Sequence, residues 1–182
     1  ITDISSASRL DAELARSEAA PIDVSKLCDA VIHMANDLRR DDGVSIHLVV
    51  EPGESVERAP FMVLGHDSRL VQVLNNLIDN ARSFSPRGGE VRVSCLRQGP
   101  LVRVMVDDDG PGIPPHALDK VFERFYTDRP NQGFGQNSGL GLSISRQIIE
   151  AHRGTIRATN RMDDAGKIIG ARFIVEMPAV AA

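Results

Sequence analysis

Two asparagines four residues apart, Asn76 and Asn80, lie in a stretch over residues 68–81 whose apolar positions recur at helical spacing. That spacing puts both carboxamides on one face, while Leu70, Leu74, Leu77, Ala81 and Phe84 fill the opposite stripe. A carboxamide oxygen is a neutral, hard donor, suited to Mg2+ that keeps most of its waters and bridges to phosphates. Two glycine-bearing segments follow, Asp108-Asp109-Gly110-Pro111-Gly112-Ile113 and Ser138-Gly139-Leu140-Gly141-Leu142. Their glycine pairs permit close approach of backbone to a ligand. The second opens a helix, and a glycine-rich helix start with free N–H groups is an anion site favoured by the helix dipole.

Each feature also has an ordinary structural reading. The asparagines could mark a solvated or bent helix, yet Asn75, Asn76 and Asn80 together weaken an otherwise strong helix, and that local cost points to a use. Asp107-Asp108-Asp109 follows a strand and could form a tight turn. A calcium loop would need the acidic alternation and downstream Glu of an EF-hand, which are missing. Residues 138–142 could be a plain loop-to-helix junction. They form neither a Walker P-loop, lacking Gly-Lys-Ser/Thr, nor a dinucleotide fingerprint, lacking the third glycine. Phe122 and Phe125, in Phe122-Glu123-Arg124-Phe125-Tyr126, read as core residues.

The elements that must position these residues alternate along the chain. Residues 1–17 read as a helix with a narrow stripe at Ile1, Ile4, Ala7, Leu10 and Leu14. Residues 17–21 read as a linker, because Pro21 disfavours helix at the residue before it. A second helix is expected from Ser25, as N-cap, to Arg40, with Leu27, Val31, Met34 and Leu38 inward. Strands are expected around residues 44–50, 61–64, 91–96 and 101–106, and a short helix around Leu118 and Val121. The asparagine helix has Asp67 as its expected N-cap. Residues 127–138, rich in Gly, Asn, Gln and Pro, read as a mobile loop. A helix over 139–152 and strands at 155–160 and 171–177 close the pattern, an α/β class with three main helices on one mixed sheet and an N-terminal helical stub.

Composition is that of a soluble globular domain: 182 residues, 42% hydrophobic and 25% charged. A net charge of −4 argues against a general nucleic-acid or membrane-surface binder. No run approaches the roughly 18 apolar residues of a membrane span, so direct membrane contact by this chain is not expected. Cys28 and Cys95 fit no disulfide framework or metal spacing, which makes a reducing cytoplasm the default.

The asparagine helix, the Asp108–Ile113 segment, the Phe122–Tyr126 run and the Ser138–Leu142 segment, in this order, resemble the N, G1, F and G2 boxes of the ATP-binding domain of sensor histidine kinases. The resemblance implies a two-layer α/β sandwich of the Bergerat type that binds ATP and Mg2+. It implies that Asn80 contacts the metal and that Asn76 supports the phosphates and metal shell. Asp108 would accept a hydrogen bond from the adenine amine, which only an acceptor can do, with Gly110, Gly112 and Ile113 against the purine. Tyr126 would belong to the aromatic hinge of the lid, and Ser138, Gly139, Leu140, Gly141 and Leu142 to the triphosphate cradle. Asp107 and Asp109 would be solvated neighbours.

Three positions depart from the family pattern. Ser83 stands where a Lys or Arg is common, with Arg82 one residue early and rotated off that face. Thr127 stands where Arg often follows the aromatic pair, and Asn137 where Gly is frequent. The phosphate charge must then be met by other cations, for which Arg124 and Arg129 are the candidates.

None of His33, His47, His66, His116 and His152 carries the family's acceptor motif, because His66-Asp67 begins it correctly and fails at Leu70. Residues 1–20 resemble the end of the dimerisation and phosphoacceptor hairpin, which places the acceptor upstream, and residues 21–182 would be the catalytic domain. The loop over residues 127–138 further resembles envelope-sensing kinases of the ChvG/BvrS type. The implied partners are a second copy of the full-length kinase and a response-regulator receiver domain, at the cytoplasmic side of an inner membrane that anchors the parent. Two rivals remain open. An ATP hydrolase of the wider gyrase, Hsp90 and MutL group would need Glu where Asn76 stands, and a degenerate nucleotide-binding scaffold would have kept the fold alone.

Overall fold

A computed structural model describes residues 2–38, 41–51, 61–126 and 140–180, with side chains from residue 8 onward. Helix α1 (Thr2–Arg16) leads into strand β1 (Ala20–Asp23), helix α2 (Val24–Asp37), strands β2 (Ser45–Glu51) and β3 (Met62–Gly65), and helix α3 (Asp67–Phe84). Strands β4 (Glu90–Gln98) and β5 (Leu101–Asp107) follow, then two 3₁₀ turns at Pro115–Ala117 and Lys120–Phe122. Helix α4 (Gly141–Ala151) and strands β6 (Thr155–Met162) and β7 (Ile168–Pro178) complete the order.

Five strands form a mixed sheet in the order β2-β4-β5-β7-β6, with only the β2–β4 pair parallel. Alternation along β4 and β5 sends Val91, Val93, Cys95, Val102, Val104 and Val106 to one face, all of them buried. That face packs on Leu70, Leu74, Leu77, Ile78 and Ala81 of α3 and on Ile148 and Ile149 of α4, giving two layers around one core. Leu77 has no exposed surface, and burial of such a side chain contributes about 1.5–3 kcal/mol. Among the described residues, no helix is long and apolar enough to cross a membrane.

Four expectations need correction. Residues 20–23 are not linker but a strand, paired antiparallel with β3 from Ala20↔Gly65 to Asp23↔Met62. Pro21 is tolerated because a two-stranded ribbon leaves it an edge where no N–H is required. The N-cap of α2 is Asp23 rather than Ser25, since its carboxylate reaches two N–H groups, Ser25 at 3.0 Å and Lys26 at 3.4 Å. The buried stripe of α2 is Val24, Cys28, Val31 and Ile32, whereas Met34 and Leu38 are each 67% exposed. Two apolar stripes share Val31, and counting Cys28 as a core residue selects the right one. At α3, His66 is the cap position and Asp67 is already helical, its carboxylate accepting from Ser68 N–H at 2.6 Å.

Candidate functional site

Helix α3 is the wall on which the separated motifs meet. Asn75 is exposed while Asn76 and Asn80, on the neighbouring face, are half-buried. Asn76 Nδ2 donates to the Gly141 carbonyl at 3.2 Å and to Ser145 Oγ at 3.3 Å, and Ser145 Oγ itself donates to Gly141 O at 2.8 Å. This three-membered network ties α3 to the first turn of α4. With its donors so used, the Asn76 amide can present only its oxygen to a cation or metal-bound water. Among the described residues no group of three His, Cys, Asp or Glu could hold a metal. A divalent ion here would therefore rest on carboxamide, water and phosphate oxygens, a donor set that suits Mg2+.

At the start of α4, Leu140 caps the helix with no side-chain hydrogen bond and no acidic residue stands in the first turn. The first N–H groups of a helix have no intrahelical partner, and an uncapped, uncharged start leaves them to an anion. Ser143 does not act as a cap; its hydroxyl donates backward to Leu140 O at 2.9 Å. Among the described residues nothing caps the N–H groups at Leu140, Gly141 and Leu142, so this helix start can receive an anion. Ser138, Gly139 and Arg129 lie outside the described residues.

The other end of α3 supports the acidic loop. Asp108 is 1% exposed, and its Oδ1 accepts from Gly110 N–H at 2.9 Å and Ala171 N–H at 3.1 Å. Burial pushes its carboxyl above the ordinary 3.8, and those two hydrogen bonds oppose the rise. With Oδ1 committed, Oδ2 is the acceptor left to meet a ligand donor. A side chain at Gly110 would come within 2.7 Å of the Phe84 carbonyl, so this glycine lets the loop rest directly on the end of α3. Gly112 has φ +79°, and a side chain there would collide with Ile168 and come within 2.8 Å of Asn160 Oδ1. The chain's own packing therefore already requires both glycines. Ile113 is buried beside them.

Asp107 and Asp109 are not solvated neighbours, which corrects the sequence reading. Asp107 is 5% exposed and takes a bidentate pair from Arg172, both bonds 2.7 Å, with Arg161 Nε 3.6 Å away. Asp109 accepts from Glu90 N–H at 3.0 Å and pairs with Arg161 at 3.3 Å and Arg92 at 3.4 Å. Both strap Asp108 to the sheet. Their arginines lie 17 to 65 positions away in the chain, so no local pattern reveals them.

The aromatic run divides. Phe122 is buried, edge-on to Phe173 with centroids 6.0 Å apart, and Arg146 lies over its ring at 5.8 Å. Phe125 is 66% exposed with φ +61°, which overturns its reading as a core residue. Tyr126 packs half-buried against the core. The Arg124 guanidinium stands 5.3 Å from the Phe125 ring centre. Ser83 is exposed, its hydroxyl donating to Asn80 O at 2.8 Å. Arg82 does point away from the site, as expected: its buried guanidinium makes a bidentate pair with the half-buried Asp42 at 2.8 and 3.0 Å.

His66 and His152 are structural. His152 Nδ1 bonds the Ile148 carbonyl at 2.7 Å, and Nε2 accepts from His66 N–H at 3.1 Å, so the ring is held neutral with its proton on Nδ1. Burial lowers its pKa in the same sense.

Comparison with known proteins bears on the family and the fold. Residues 65–181 match the family described as histidine kinase-, DNA gyrase B- and HSP90-like ATPase. The sensor protein ChvG of Agrobacterium fabrum (strain C58) is 49% identical over 182 residues, covering 98% of this chain and 30% of that protein. The chain thus spans under a third of the length of that relative. Among solved structures, the mycobacterial sensor histidine kinase MprB superposes with a TM-score of 0.73 at 29% identity, covering 90% of this chain and 99% of that one. The histidine kinase ThkA, solved in complex with the response regulator protein TrrA, gives a TM-score of 0.68 at 26% identity, covering 98% of this chain and 48% of that one.

Proposed function

Because the chain belongs to the family of histidine kinase-, DNA gyrase B- and HSP90-like ATPases, we propose that it is the nucleotide-binding, phosphoryl-donating domain of a sensor histidine kinase. The observation that carries this reading is the double contact of α3, which holds the α4 start through Asn76 and seats the Asp108 loop at Phe84. In this reading α3 is the common wall for an adenine acceptor, a metal-binding carboxamide and an anion-binding helix start. Residues 1–20 are the end of a dimerisation hairpin in this reading, and residues 21–182 the catalytic domain.

Asp108 receives the adenine amine through Oδ2. Asn80 would contribute its amide oxygen to Mg2+, and Asn76, fixed by Gly141 and Ser145, would support the metal shell and phosphates. The N–H groups at Leu140, Gly141 and Leu142, continuing into Gly139 and Ser138, neutralise phosphate charge, with Arg129 and Arg124 as the cations. Bound Mg2+–ATP supplies the phosphoryl group. The protein's part is positioning and charge stabilisation rather than covalent chemistry. In the proposed transfer an imidazole nitrogen of an acceptor hairpin would attack the γ-phosphorus in line while the bond to the β–γ bridging oxygen breaks and ADP leaves, a carboxylate beside the imidazole taking its proton.

A hydrolase would require a general base where Asn76 stands. That amide cannot take a proton at neutral pH, and its nitrogen is already engaged. The partners are then a second copy in the full-length kinase and the receiver domain of a response regulator; ThkA is solved in complex with the response regulator protein TrrA. The parent is anchored in the inner membrane with this domain in the cytoplasm.

Calorimetric titration with ATP, with and without Mg2+, tests the reading. Saturable one-site binding that strengthens with Mg2+ is the expected result, and absence of nucleotide binding in either condition would overturn it.

A further inference from the structure

Strand β6 at the sheet edge grips the Asp108–Ile113 loop at both of its ends. Arg161 Nη1 donates to the Asp108 carbonyl at 2.5 Å. Its chain neighbour Asn160 holds the far end: Ile113 N–H donates to Asn160 Oδ1 at 2.8 Å, and Asn160 Nδ2 donates to Ile113 O at 2.7 Å. A side-chain amide here imitates a strand backbone, satisfying the one donor and one acceptor of a residue that no strand partner reaches. The same Oδ1 lies against Gly112, where any side chain would displace it. The loop between these two grips carries Asp108, Gly110 and Gly112, so its path beside the Asp108 carboxylate is set from β6.

We infer that Asn160 is a positioning residue for the base end of the nucleotide site: its amide fixes the Gly112–Ile113 backbone against which the purine lies. This rests on the assignment of Asp108 to the adenine amine. Among the described residues the Asn160 side chain bonds Ile113 and neither Asn76 nor Gly141, through which α3 and the start of α4 form the phosphate end. Its loss therefore weakens the base-end contacts and leaves the phosphate contacts intact.

The test uses the 182-residue chain with Asn160→Ala, Asn160→Gln and Asp108→Asn, titrated with ADP by calorimetry and with adenosine by ligand-observed NMR. Asn160→Gln keeps the amide but not its reach, and guards against failure of the alanine variant to fold. Both Asn160 variants are expected to weaken adenosine and ADP by the same factor, about tenfold for two lost backbone hydrogen bonds. Binding stoichiometry should stay at one, and the Mg2+ enhancement of ADP affinity should be unchanged. A residue that only stabilises the fold would instead lower the binding-competent fraction and leave the affinity of the remainder alone. Unchanged adenosine affinity in Asn160→Gln, or a loss for ADP without one for adenosine, overturns the inference. If Asp108→Asn binds adenosine normally, the adenine assignment itself fails. If Asp108→Asn loses adenosine while the Asn160 variants keep it, only the clamp is wrong.

Discussion

Replacing Asp108 with Asn changes one atom at a position that is 1% exposed, and its consequences can be worked from the contacts. The amide oxygen can stay where Oδ1 accepts from Gly110 N–H and Ala171 N–H, so the loop keeps both anchors. The nitrogen then falls where Oδ2 stood and turns a donor toward the adenine amine, itself a donor. One charge-assisted hydrogen bond is lost, about 1.5–3 kcal/mol, which is roughly a 10- to 140-fold drop in nucleotide affinity. Stability should not fall. Burial raises the Asp108 carboxyl, so its contribution to stability is present below the ordinary 3.8 and is lost as pH rises through the higher folded value. At neutral pH the fold therefore bears the cost of a buried charge, which the neutral amide removes. The assay is calorimetric titration with ADP beside thermal melting, repeated from pH 7.5 into the acid range. Wild-type affinity should decline as pH falls through the raised carboxyl value, and the variant's should stay flat. Wild-type affinity in the variant, or weak binding accompanied by a lower melting temperature, would refute the reasoning.

Asn80→Ala should make nucleotide affinity insensitive to Mg2+, whereas Asn75→Ala, at an exposed position rotated about 100° from Asn76, should change little; equal losses would show that the helix face is misassigned. Arg82→Ala should cost about 2 kcal/mol in urea unfolding without altering ATP affinity. Arg82 holds the Asp42 carboxyl below its ordinary value, so the stability it contributes is present above pH 3.8 and fades as pH falls through the lower folded pKa, a loss the variant should lack. With an acceptor hairpin supplied, Arg129→Ala should slow single-turnover transfer more than Arg124→Ala, whose guanidinium already rests over Phe125; the reverse ranking would displace Arg129 from the γ-phosphate.

Much of this was legible in the residues because the signals were local. The 3.6-residue period over Leu70, Leu74, Leu77 and Ala81 sets the buried face of α3 and with it the outward pair Asn76 and Asn80. The alternation in β4 and β5 is equally local. What escaped depends on pairing across the chain. Strand β1 is short, contains Pro21 and exists only because β3 lies 40-odd residues on. Asp107 and Asp109 look like solvent-facing turn residues until Arg92, Arg161 and Arg172 converge on them. Asn160 and Ser145 carry no motif; Asn160 stands in the polar edge strand Thr155–Met162, where nothing local sets it apart from its neighbours. The choice of stripe on α2 failed for a different reason, since two faces were nearly equal in apolar content and the sheet decides between them.

Phosphoryl transfer to a histidine is the proposed activity, and γ-labelled ATP follows the group itself. This chain is incubated with Mg2+, labelled ATP and a separately supplied phosphoacceptor hairpin of a ChvG-type kinase, and the label is followed on each polypeptide. Acid-labile, alkali-stable label is expected on the hairpin histidine and none on this chain, whose His33, His47, His66, His116 and His152 lack the acceptor motif. Stable label on this chain alone, or release of inorganic phosphate with none on the hairpin despite normal nucleotide binding, would contradict it.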